Sequence, residues 1–297
     1  MTEQSGWRFS DDRGRVSRAE RTPSRVLAYV QAGATLWDLG VRSHGVFGSG
    51  HDGAEIDPAK SGELPVGEVA YLGAGTALDV DTLLRGEPDL VVAVSYGGGT
   101  VYGLDPDTAK HLEEQVPVVV IDVGQSRTLA GTSDRFAELA RSLGADELPR
   151  ADEELEAARA RLRTAASGGA VRVVALSPAD PDQAYVARPA QWPELAALDE
   201  LGVGLVDPPA GPGVNWHTAS WAEVAVLAPQ VLLTDVRVNA APLESLRSQP
   251  EWAALLDAGT LVVPWNPEPL CSPHAHARFL SLVADALDSV HDSLREG

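Results

Sequence analysis

Short runs of apolar residues alternate with amphipathic stretches along almost the whole chain. The runs at Leu90–Val94 and Val118–Ile121 are apolar at every position, which is typical of strands covered on both faces. Between such runs, apolar residues return every three or four positions, as they do in helices that bury one face. Alternation of strands and helices predicts an α/β fold with parallel sheets.

The first series of elements runs from a strand at 25–30 to a strand at 117–122. Between them, the pattern predicts strands at 41–47, 69–72 and 88–94 and helices at 36–39, 79–85 and 106–115. The stretch 48–67 is rich in Gly, Pro and acidic residues, so it is predicted to be a surface loop. Two amphipathic helices, 132–143 and 152–166, follow in the middle of the chain.

After Gly169 the same alternation begins again. Strands are predicted at 171–176, 203–206, 229–235 and 260–264, and helices at 192–201, 251–258 and 274–294. Ser220 and Glu223 have the spacing of a capping box and therefore predict the start of another helix. Related motifs also recur, since Glu-Pro-Asp-Leu-Val-Val at 87–92 resembles Ala-Pro-Gln-Val-Leu-Leu at 228–233.

We therefore predict an α/β protein of two Rossmann-like lobes with parallel sheets, joined by a long helical linker. The predicted boundaries are an N-terminal extension at 1–22, an N-terminal lobe at 23–131, a helical linker at 132–169 and a C-terminal lobe at 170–297. Open α/β sheets bind ligands beyond the carboxyl ends of their strands, so a ligand cleft is expected between the lobes. A helix within 150–168 is expected to span both lobes and to limit their movement to a small rotation.

Composition narrows the class of protein. The chain has 297 residues, of which 44% are hydrophobic and 22% charged, as in a globular protein of about two domains. Its 43 acidic and 23 basic residues give a net charge of −20, which argues against nucleic-acid and anionic membrane partners. The one cysteine, Cys271, allows no internal disulfide and is expected to be a small packed residue. No apolar stretch reaches the length of a transmembrane helix, and residues 1–25 lack the apolar region of a signal peptide.

Eight ordered motifs carry a resemblance that covers nearly the whole chain. They lie at Gly6–Gly14, Pro23–Tyr29, Leu36–Val41, Gly86–Val92, Phe136–Gly144, Tyr185–Pro189, Ser220–Glu223 and Pro250–Gly259. Their order and spacing resemble the class III substrate-binding proteins of ABC importers, the receptors for ferric siderophores, haem and cobalamin. The iron–siderophore receptors are the most similar branch.

The resemblance implies capture of a ferric siderophore in the cleft and its delivery to an ABC permease by a monomeric, non-enzymatic protein. Iron would arrive only inside its chelator, so no cofactor or protein-bound metal is expected. We expect an extracytoplasmic protein, lipid-anchored at the cell membrane, whose leader is absent from this sequence. A native start at Met1 would instead indicate a cytoplasmic protein. The alternatives left open are a leaderless intracellular enzyme or chaperone acting on a metal chelate, and a haem or cobalamin binder.

Eight ligand-binding residues are predicted from their positions just past strand ends or in loops. They are Arg237, Arg188, Tyr96, Tyr102, Trp216, His217, Trp265 and Gln31. In the family that the chain resembles, arginines at such positions face the anionic oxygens of the ferric chelate, which suit the fork of guanidinium donors. Aromatic walls suit a large, partly apolar chelate. Gly97–Gly99 would let the backbone approach a bulky ligand.

Other interpretations of these residues remain open at this point. The tyrosines could line an exposed turn, and the arginines could form surface ion pairs in so acidic a chain. The glycine run lacks the Lys-Ser/Thr and the spacing of a phosphate-binding loop. His274 and His276 do not share a helix face, so joint metal binding is not expected. The sequence contains neither G-x-S-x-G nor H-E-x-x-H, and no catalytic residue is predicted.

Overall fold

The computed structural model describes residues 6–125, 127–146 and 149–296. Parts of the predicted N-terminal extension (1–5) and of the predicted linker (147–148) lie outside the described residues. The chain divides into two compact units: unit 1 is Met1–Pro149 with Glu268–Ser272, and unit 2 is Arg150–Pro267 with Pro273–Gly297. Each unit contains a five-stranded sheet. Within the described residues, none of the helices is long and apolar enough to cross a membrane.

Unit 1 combines an N-terminal hairpin with a parallel sheet and five helices. The strands are β1 (Trp7–Ser10), β2 (Val16–Ala19), β3 (Val26–Tyr29), β4 (Ser43–Gly48), β5 (Ala70–Ala74), β6 (Leu90–Ser95) and β7 (Val118–Asp122). The helices are α1 (Val30–Asp38), α2 (Pro58–Ser61), α3 (Val80–Leu84), α4 (Pro106–Glu113) and α5 (Leu129–Ser142). The sheet order is β5-β4-β3-β6-β7, and all neighbouring strands are parallel.

Local chemistry explains where these elements begin. Asp79, Asp105 and Thr128 each accept a backbone N–H with their side chain at a helix N-terminus, which satisfies donors that the helix leaves unpaired. All six residues of β6 are buried, as the continuous apolar run requires. The hairpin of β1 and β2, which the sequence pattern did not predict, is fixed to α5 because Trp7 Nε1 donates to Ser142 Oγ at 3.1 Å.

Unit 2 begins with the long helix α6 and ends with a second long helix. Its helices are α6 (Pro149–Ala166), α7 (Pro193–Glu200), α8 (Trp221–Val226), α9 (Pro250–Asp257) and α10 (Pro273–Glu296). Its strands are β8 (Val173–Pro178), β9 (Gln183–Ala187), β10 (Trp216–Ser220), β11 (Val231–Asp235) and β12 (Leu261–Trp265). The sheet order is β10-β9-β8-β11-β12. Two separate apolar clusters fill this unit, one of which includes the buried residues Leu155 and Leu162 of α6 and Leu280 of α10.

The prediction of two α/β lobes with a long helix in the middle of the chain is confirmed, and the strand order repeats in both sheets. The second sheet is mixed, however, because β9 is antiparallel to both β8 and β10. A tight turn makes this possible: the Asp180 side chain accepts the N–H groups of Asp182 and Gln183. Whether α6 spans both lobes stays a prediction.

Two sequence-based assignments are wrong. The predicted strand at 203–206 forms only an isolated bridge between Leu205 and Val173. Pro208 and Pro209 follow at once, and they lack the N–H groups that a longer ladder needs. The stretch 48–67 is not simply a surface loop, because it contains α2 and fully buries Lys60.

Candidate functional site

The carboxyl ends of the strands of unit 1 meet at one edge of its sheet, because all five strands are parallel. Tyr29 is the last residue of β3, and Gln31 lies in the first turn of α1 directly after it. Tyr96 directly follows β6. The glycines 97–99 all have positive φ, a conformation that glycine adopts without strain. They let the chain turn back, so that the Tyr102 N–H donates to the Val94 carbonyl at 2.9 Å.

Three predicted site residues come together at this edge. The rings of Tyr96 and Tyr102 meet edge to face with centroids 4.7 Å apart, and Tyr102 meets Tyr29 in the same way at 5.4 Å. The Tyr96 hydroxyl donates to Gln31 Oε1 at 3.4 Å. Gln31 in turn donates through Nε2 to the Pro269 carbonyl at 2.6 Å. The result is a polar and aromatic surface, which we call the tyrosine face (Gln31, Tyr96 and Tyr102).

A buried ion cluster lies against the tyrosine face. Lys60 Nζ is 2.8 Å from Asp52 Oδ1 and 3.0 Å from Glu268 Oε1, and all three side chains are almost completely buried. The Tyr29 hydroxyl donates to Glu268 Oε2 at 2.5 Å and accepts from Lys60 Nζ at 3.2 Å. We call these four residues the Lys60 cluster. One buried cation therefore faces two carboxylates, which is the pairing that buried charges require.

Burial and pairing shift two pKa values in this cluster. Burial, together with the nearby Glu268 carboxylate, raises the pKa of Tyr29 well above its usual value, so this hydroxyl stays protonated and donates. Burial alone would raise the pKa of Asp52, but hydrogen bonds from Lys60 and Ser49 outweigh it, and the pKa lies below its usual value. Asp52 is therefore an ionised partner for Lys60 at neutral pH.

Sequence reasoning missed the Lys60 cluster because its members lie far apart along the chain. Asp52 and Lys60 lie in the stretch assigned to a surface loop, and Glu268 lies in the segment 268–272, which belongs to unit 1. One signal was available. Lys60 is one of only two lysines in a chain that otherwise uses arginine.

In unit 2, the ends of three parallel strands also carry polar residues. Ser177 on β8 donates through Oγ to Asp235 Oδ2 on β11 at 2.8 Å. Arg237 follows β11, as predicted, and its Nη2 is 2.7 Å from Asp235 Oδ2 while its Nε is 3.0 Å from Oδ1. Asp235 is fully buried, so Arg237 is held in a two-point contact and is not the surface ion pair considered from the sequence.

Aromatic side chains cluster next to this pair. Trp265 lies 5.6 Å from Trp192 and 5.8 Å from Trp216, centroid to centroid, and it is 1% exposed. Its Nε1 donates to Glu194 Oε1 at 3.1 Å. Burial raises the pKa of Glu194 to about 7, although the Trp265 hydrogen bond and Arg237 lower it in part.

The predicted loop positions of three site residues are wrong. Trp216 and His217 begin β10, and Trp265 ends β12. For Trp216 and His217 the reason is an additional antiparallel strand pair, since β10 pairs with β9 from Trp216 opposite Ala187 to Ser220 opposite Gln183. Trp265 extends the predicted strand 260–264 by one residue and pairs with Asp235 of β11. His217 is thus a half-buried strand residue opposite Val186.

Arg188 lies just past a strand end, as predicted, but not at the edge where the parallel strands of unit 2 end. It follows β9, and because β9 is antiparallel to β8, Arg188 lies toward the amino ends of the parallel strands. Its Nε donates to the Gly213 carbonyl at 2.9 Å and its Nη1 to the Pro209 carbonyl at 3.1 Å. The structure therefore places Arg188 and Arg237 toward opposite edges of the same sheet. The role of both in ligand binding stays a prediction.

The described residues contain no group of three or more His, Cys, Asp and Glu side chains that could hold a metal ion. Cys271 is a free thiol and is buried, and its N–H donates to Thr35 Oγ1 at 3.0 Å. His274 and His276, for which joint metal binding was not expected, have different surroundings. His274 Nδ1 is 3.3 Å from Glu154 Oε2, and His276 is buried.

Two α/β units with the same strand order, each with polar and aromatic side chains at the carboxyl ends of its strands, define the class of two-lobed solute-binding proteins. The model of one family, described as periplasmic binding protein, matches residues 30–259. The chain belongs to this family of extracytoplasmic binding proteins, which is not a family of enzymes. No curated protein matches the chain.

Solved structures agree with this assignment. The chain is similar to DesE, a ferric-siderophore receptor protein from Streptomyces coelicolor, with a TM-score of 0.85 and 28% identity over 95% of this chain and 98% of that chain. It shares its fold with FhuD from Vibrio cholerae, an Fe³⁺–Desferal-bound siderophore binding protein, at a TM-score of 0.64 and 18% identity (89% of this chain, 97% of that chain). The haem-binding protein RhuT from Roseiflexus sp. RS-1 has the same fold, at a TM-score of 0.61 and 17% identity (90% and 99%). The resemblance inferred from the motifs is thereby confirmed.

Proposed function

We propose that this chain is the substrate-binding component of an ABC importer and that its substrate is a ferric siderophore. The observation that carries the proposal is the similarity to the ferric-siderophore receptor DesE over 95% of the chain. The protein would capture the chelate outside the cytoplasm, anchored to the cell membrane by a lipid, and deliver it to a permease. Iron is then substrate, wrapped in its chelator.

The chemistry of the candidate residues supports this substrate class. On unit 1, the half-buried Tyr96 and Tyr102 offer rings and hydroxyls, which suit a ligand with both apolar arms and polar oxygens. The Gln31 amide is buried and holds Tyr96 by a hydrogen bond. On unit 2, Arg237 offers guanidinium donors for the oxygens that surround the iron. That Arg188, Trp216, His217 and Trp265 also touch the ligand stays a prediction, and so does the participation of both units in one site.

Tryptophan fluorescence provides the test of capture. Five of the seven tryptophans belong to unit 2, at positions 192, 216, 221, 252 and 265. The protein is titrated with ferric hydroxamates, catecholates and carboxylates, with haem and with cobalamin. Gallium(III) chelates of the same charge separate binding from optical quenching by iron, and the metal-free chelators serve as controls.

At least one ferric chelate and its gallium form are expected to bind with Kd below ~10 μM, which corresponds to about 7 kcal/mol. Failure of every metal chelate to bind at that level overturns the proposal. If only haem or only cobalamin binds tightly, the protein is a haem or cobalamin receptor and not a siderophore receptor.

Delivery to the permease is tested in cells. Deleting the gene should lower the uptake of radiolabelled iron from the chelate that binds, while uptake of iron from an unrelated chelate stays unchanged. Unaltered uptake of both contradicts a role in import. Mass spectrometry of the native protein, purified from membranes, decides whether it carries a lipid.

A further inference from the structure

The Lys60 cluster and the tyrosine face are linked into a closed series of contacts within unit 1. Lys60 contacts Glu268, which accepts from the Tyr29 hydroxyl. Tyr29 contacts Tyr102, and Tyr102 contacts Tyr96.

The series of contacts then returns to the segment 268–272, which contains Glu268. Tyr96 donates to Gln31, and Gln31 donates to the carbonyl of Pro269, the neighbour of Glu268. Side chains and backbone therefore form one ring, which begins and ends at the segment 268–272.

Four separate parts of the chain meet at Lys60. Tyr29 comes from the end of β3, Asp52 from the loop after β4, Lys60 from α2 and Glu268 from the segment 268–272. Asp52 is itself held, because the Ser49 N–H and Oγ donate to its Oδ2 at 2.6 and 2.8 Å. Lys60 is thus the cation that both carboxylates of this junction share.

The segment 268–272 makes further hydrogen bonds to α1, which fix the position of its C-terminal end. The Cys271 N–H donates to Thr35 Oγ1 at 3.0 Å, and Ser272 Oγ donates to Asp38 Oδ2 at 2.5 Å. Glu268 and Pro269 are the two residues of the segment that reach the tyrosines and Gln31. A displacement of this end of the segment would therefore be passed on to the tyrosine face, while its other end stays fixed.

We propose that Lys60 is a positioning residue for ligand binding: by holding Glu268 and Asp52 together, it sets the places of Tyr29, Tyr102, Tyr96 and Gln31. Its effect on affinity rests on the proposed function, whereas its effect on the tyrosines does not. Lys60→Met removes the cation that Asp52 and Glu268 both contact, and two buried carboxylates that lose a shared cation relieve their repulsion by moving apart or by taking up a proton or water.

The variant Lys60→Met tests this, since methionine fills much of the space of lysine without charge. The ligand-free readout is ¹⁹F NMR of protein labelled with 3-fluorotyrosine, which has five tyrosines and hence five resonances. Single Tyr→Phe variants assign them. We expect the Tyr29, Tyr96 and Tyr102 resonances to shift, while Tyr185 in unit 2 keeps its position.

Three further variants separate positioning from general destabilisation. Lys110→Met removes the only other lysine, which is exposed on α4. Leu112→Ala weakens the packing of α4, since Leu112 is fully buried in unit 1 outside the ring of contacts. Both should leave the three resonances in place. Lys60→Met with Glu268→Gln removes the cation and one carboxylate, and the amide oxygen can still accept from Tyr29, so the resonances should return toward their wild-type positions.

The affinity readout uses the chelate that the wild-type protein binds in the fluorescence titration. Lys60→Met should weaken it about 10- to 100-fold, the range found when groups that orient the ligand-contacting side chains of metal sites are removed, and the double variant should regain part of the loss. Leu112→Ala should bind as the wild type does at a temperature at which both are folded.

Each result decides the proposal. Unshifted tyrosine resonances in folded Lys60→Met overturn it, and so do shifted resonances with unchanged affinity. If Lys60→Met does not fold, Glu268→Gln alone is compared with the wild type, because it weakens the same contact. If the wild type binds none of the chelates, the proposed function fails, and the tyrosine resonances alone decide whether Lys60 positions this face.

Discussion

The two units have the same strand order, but only in unit 1 do the carboxyl ends of all five strands of the sheet lie at one edge. In unit 2 the second strand, β9, is antiparallel to β8, so the connection that follows it lies at the opposite edge. The corresponding connection in unit 1, after β4, supplies Asp52 and Lys60. In unit 1, the loop after β4 starts at the edge that carries the candidate binding face, and it builds the buried Lys60 cluster there. In unit 2, the connection after β9 starts at the opposite edge because of the direction of that one strand.

The units also treat buried carboxylates differently. In unit 1, Asp52 and Glu268 share the Lys60 cation. In unit 2, Asp235 is paired with Arg237, but Glu194 lies among tryptophans with a pKa of about 7. A buried carboxylate is tolerated either because a cation compensates it or because it holds its proton. The predictions below test this difference.

The largest effect is expected for Lys60→Met, measured as stability. Lys60→Met removes the cation that Asp52 and Glu268 both contact, and breaking such a buried ion cluster should cost about 3–5 kcal/mol of unfolding free energy. Urea unfolding followed by circular dichroism measures it. The exposed Lys110→Met should stay within about 0.5 kcal/mol of the wild type, and an equal effect of both variants would show that the cluster is not compensated as described.

The second prediction concerns the pH dependence of unit 2. The folded-state pKa of Glu194, about 7, lies above its usual value of 4.5, so the folded protein holds this proton more strongly than the unfolded chain. Unfolding free energy should therefore fall as the pH rises from about 4.5 to about 7. Glu194→Gln removes this loss and should gain about 2–3 kcal/mol over the wild type at pH 8, but little at pH 4.5.

Tryptophan-detected urea unfolding between pH 4.5 and 8 measures this difference. Glu223→Gln is a control of opposite sign, because the hydrogen bonds from Ser220 lower the pKa of Glu223. Its loss of stability should be present at neutral pH and disappear in acid. A difference between wild type and Glu194→Gln that does not change with pH contradicts the protonated state of Glu194.

The fold was predictable from the sequence because burial on both faces forces a continuous apolar run. β6, β7 and β11 follow such runs, and their limits agree with the pattern within one or two residues. The strand β9 and its direction were not predicted. Its residues alternate between exposed and buried, and the stretch was interpreted from the resemblance of Tyr185–Pro189 to the family and not from periodicity. The turn held by Asp180 decides the direction instead.

The candidate site was predictable only where its residues directly follow buried strands. Tyr96 and Arg237 are of this kind, because a strand end fixes their place. The Lys60 cluster depends on Glu268, which lies more than 200 residues away in sequence, and a single sequence carries no information about that contact. Its buried charges looked like ordinary surface residues.

A third prediction concerns affinity at the edge of unit 2. If Arg237 contacts the ligand, Arg237→Ala should weaken an anionic ferric chelate by about 1.5–3 kcal/mol, the range for a hydrogen bond to a charged group. A neutral chelate should lose less. Arg237→Lys should recover only part of the lost affinity, because an ammonium group cannot form the two-point contacts that a guanidinium group forms with anionic oxygens.

Two further variants make this measurement specific. Arg237→Ala with Asp235→Asn removes the charge that Arg237 compensates and separates ligand contact from local strain. Arg172→Ala removes an equal charge at the amino end of β8, where Arg172 Nε donates to the Leu227 carbonyl, and it should leave affinity unchanged. Equal losses for Arg172→Ala and Arg237→Ala would mean that only net charge matters.

The smallest effect is expected at the tyrosine face of unit 1. The hydrogen bond from Tyr96 to Gln31 is long, at 3.4 Å, so Tyr96→Phe should weaken the chelate by only about 0.5–1 kcal/mol. Tyr96→Leu also removes the edge-to-face contact with Tyr102, and should lose about 0.5–1.5 kcal/mol more. Tyr185→Phe, at an exposed tyrosine of unit 2, controls for the loss of a phenolic hydroxyl. If Tyr96→Phe costs as much as Tyr96→Leu, the hydroxyl itself contacts the ligand, and unit 1 binds through hydrogen bonds more than through its rings.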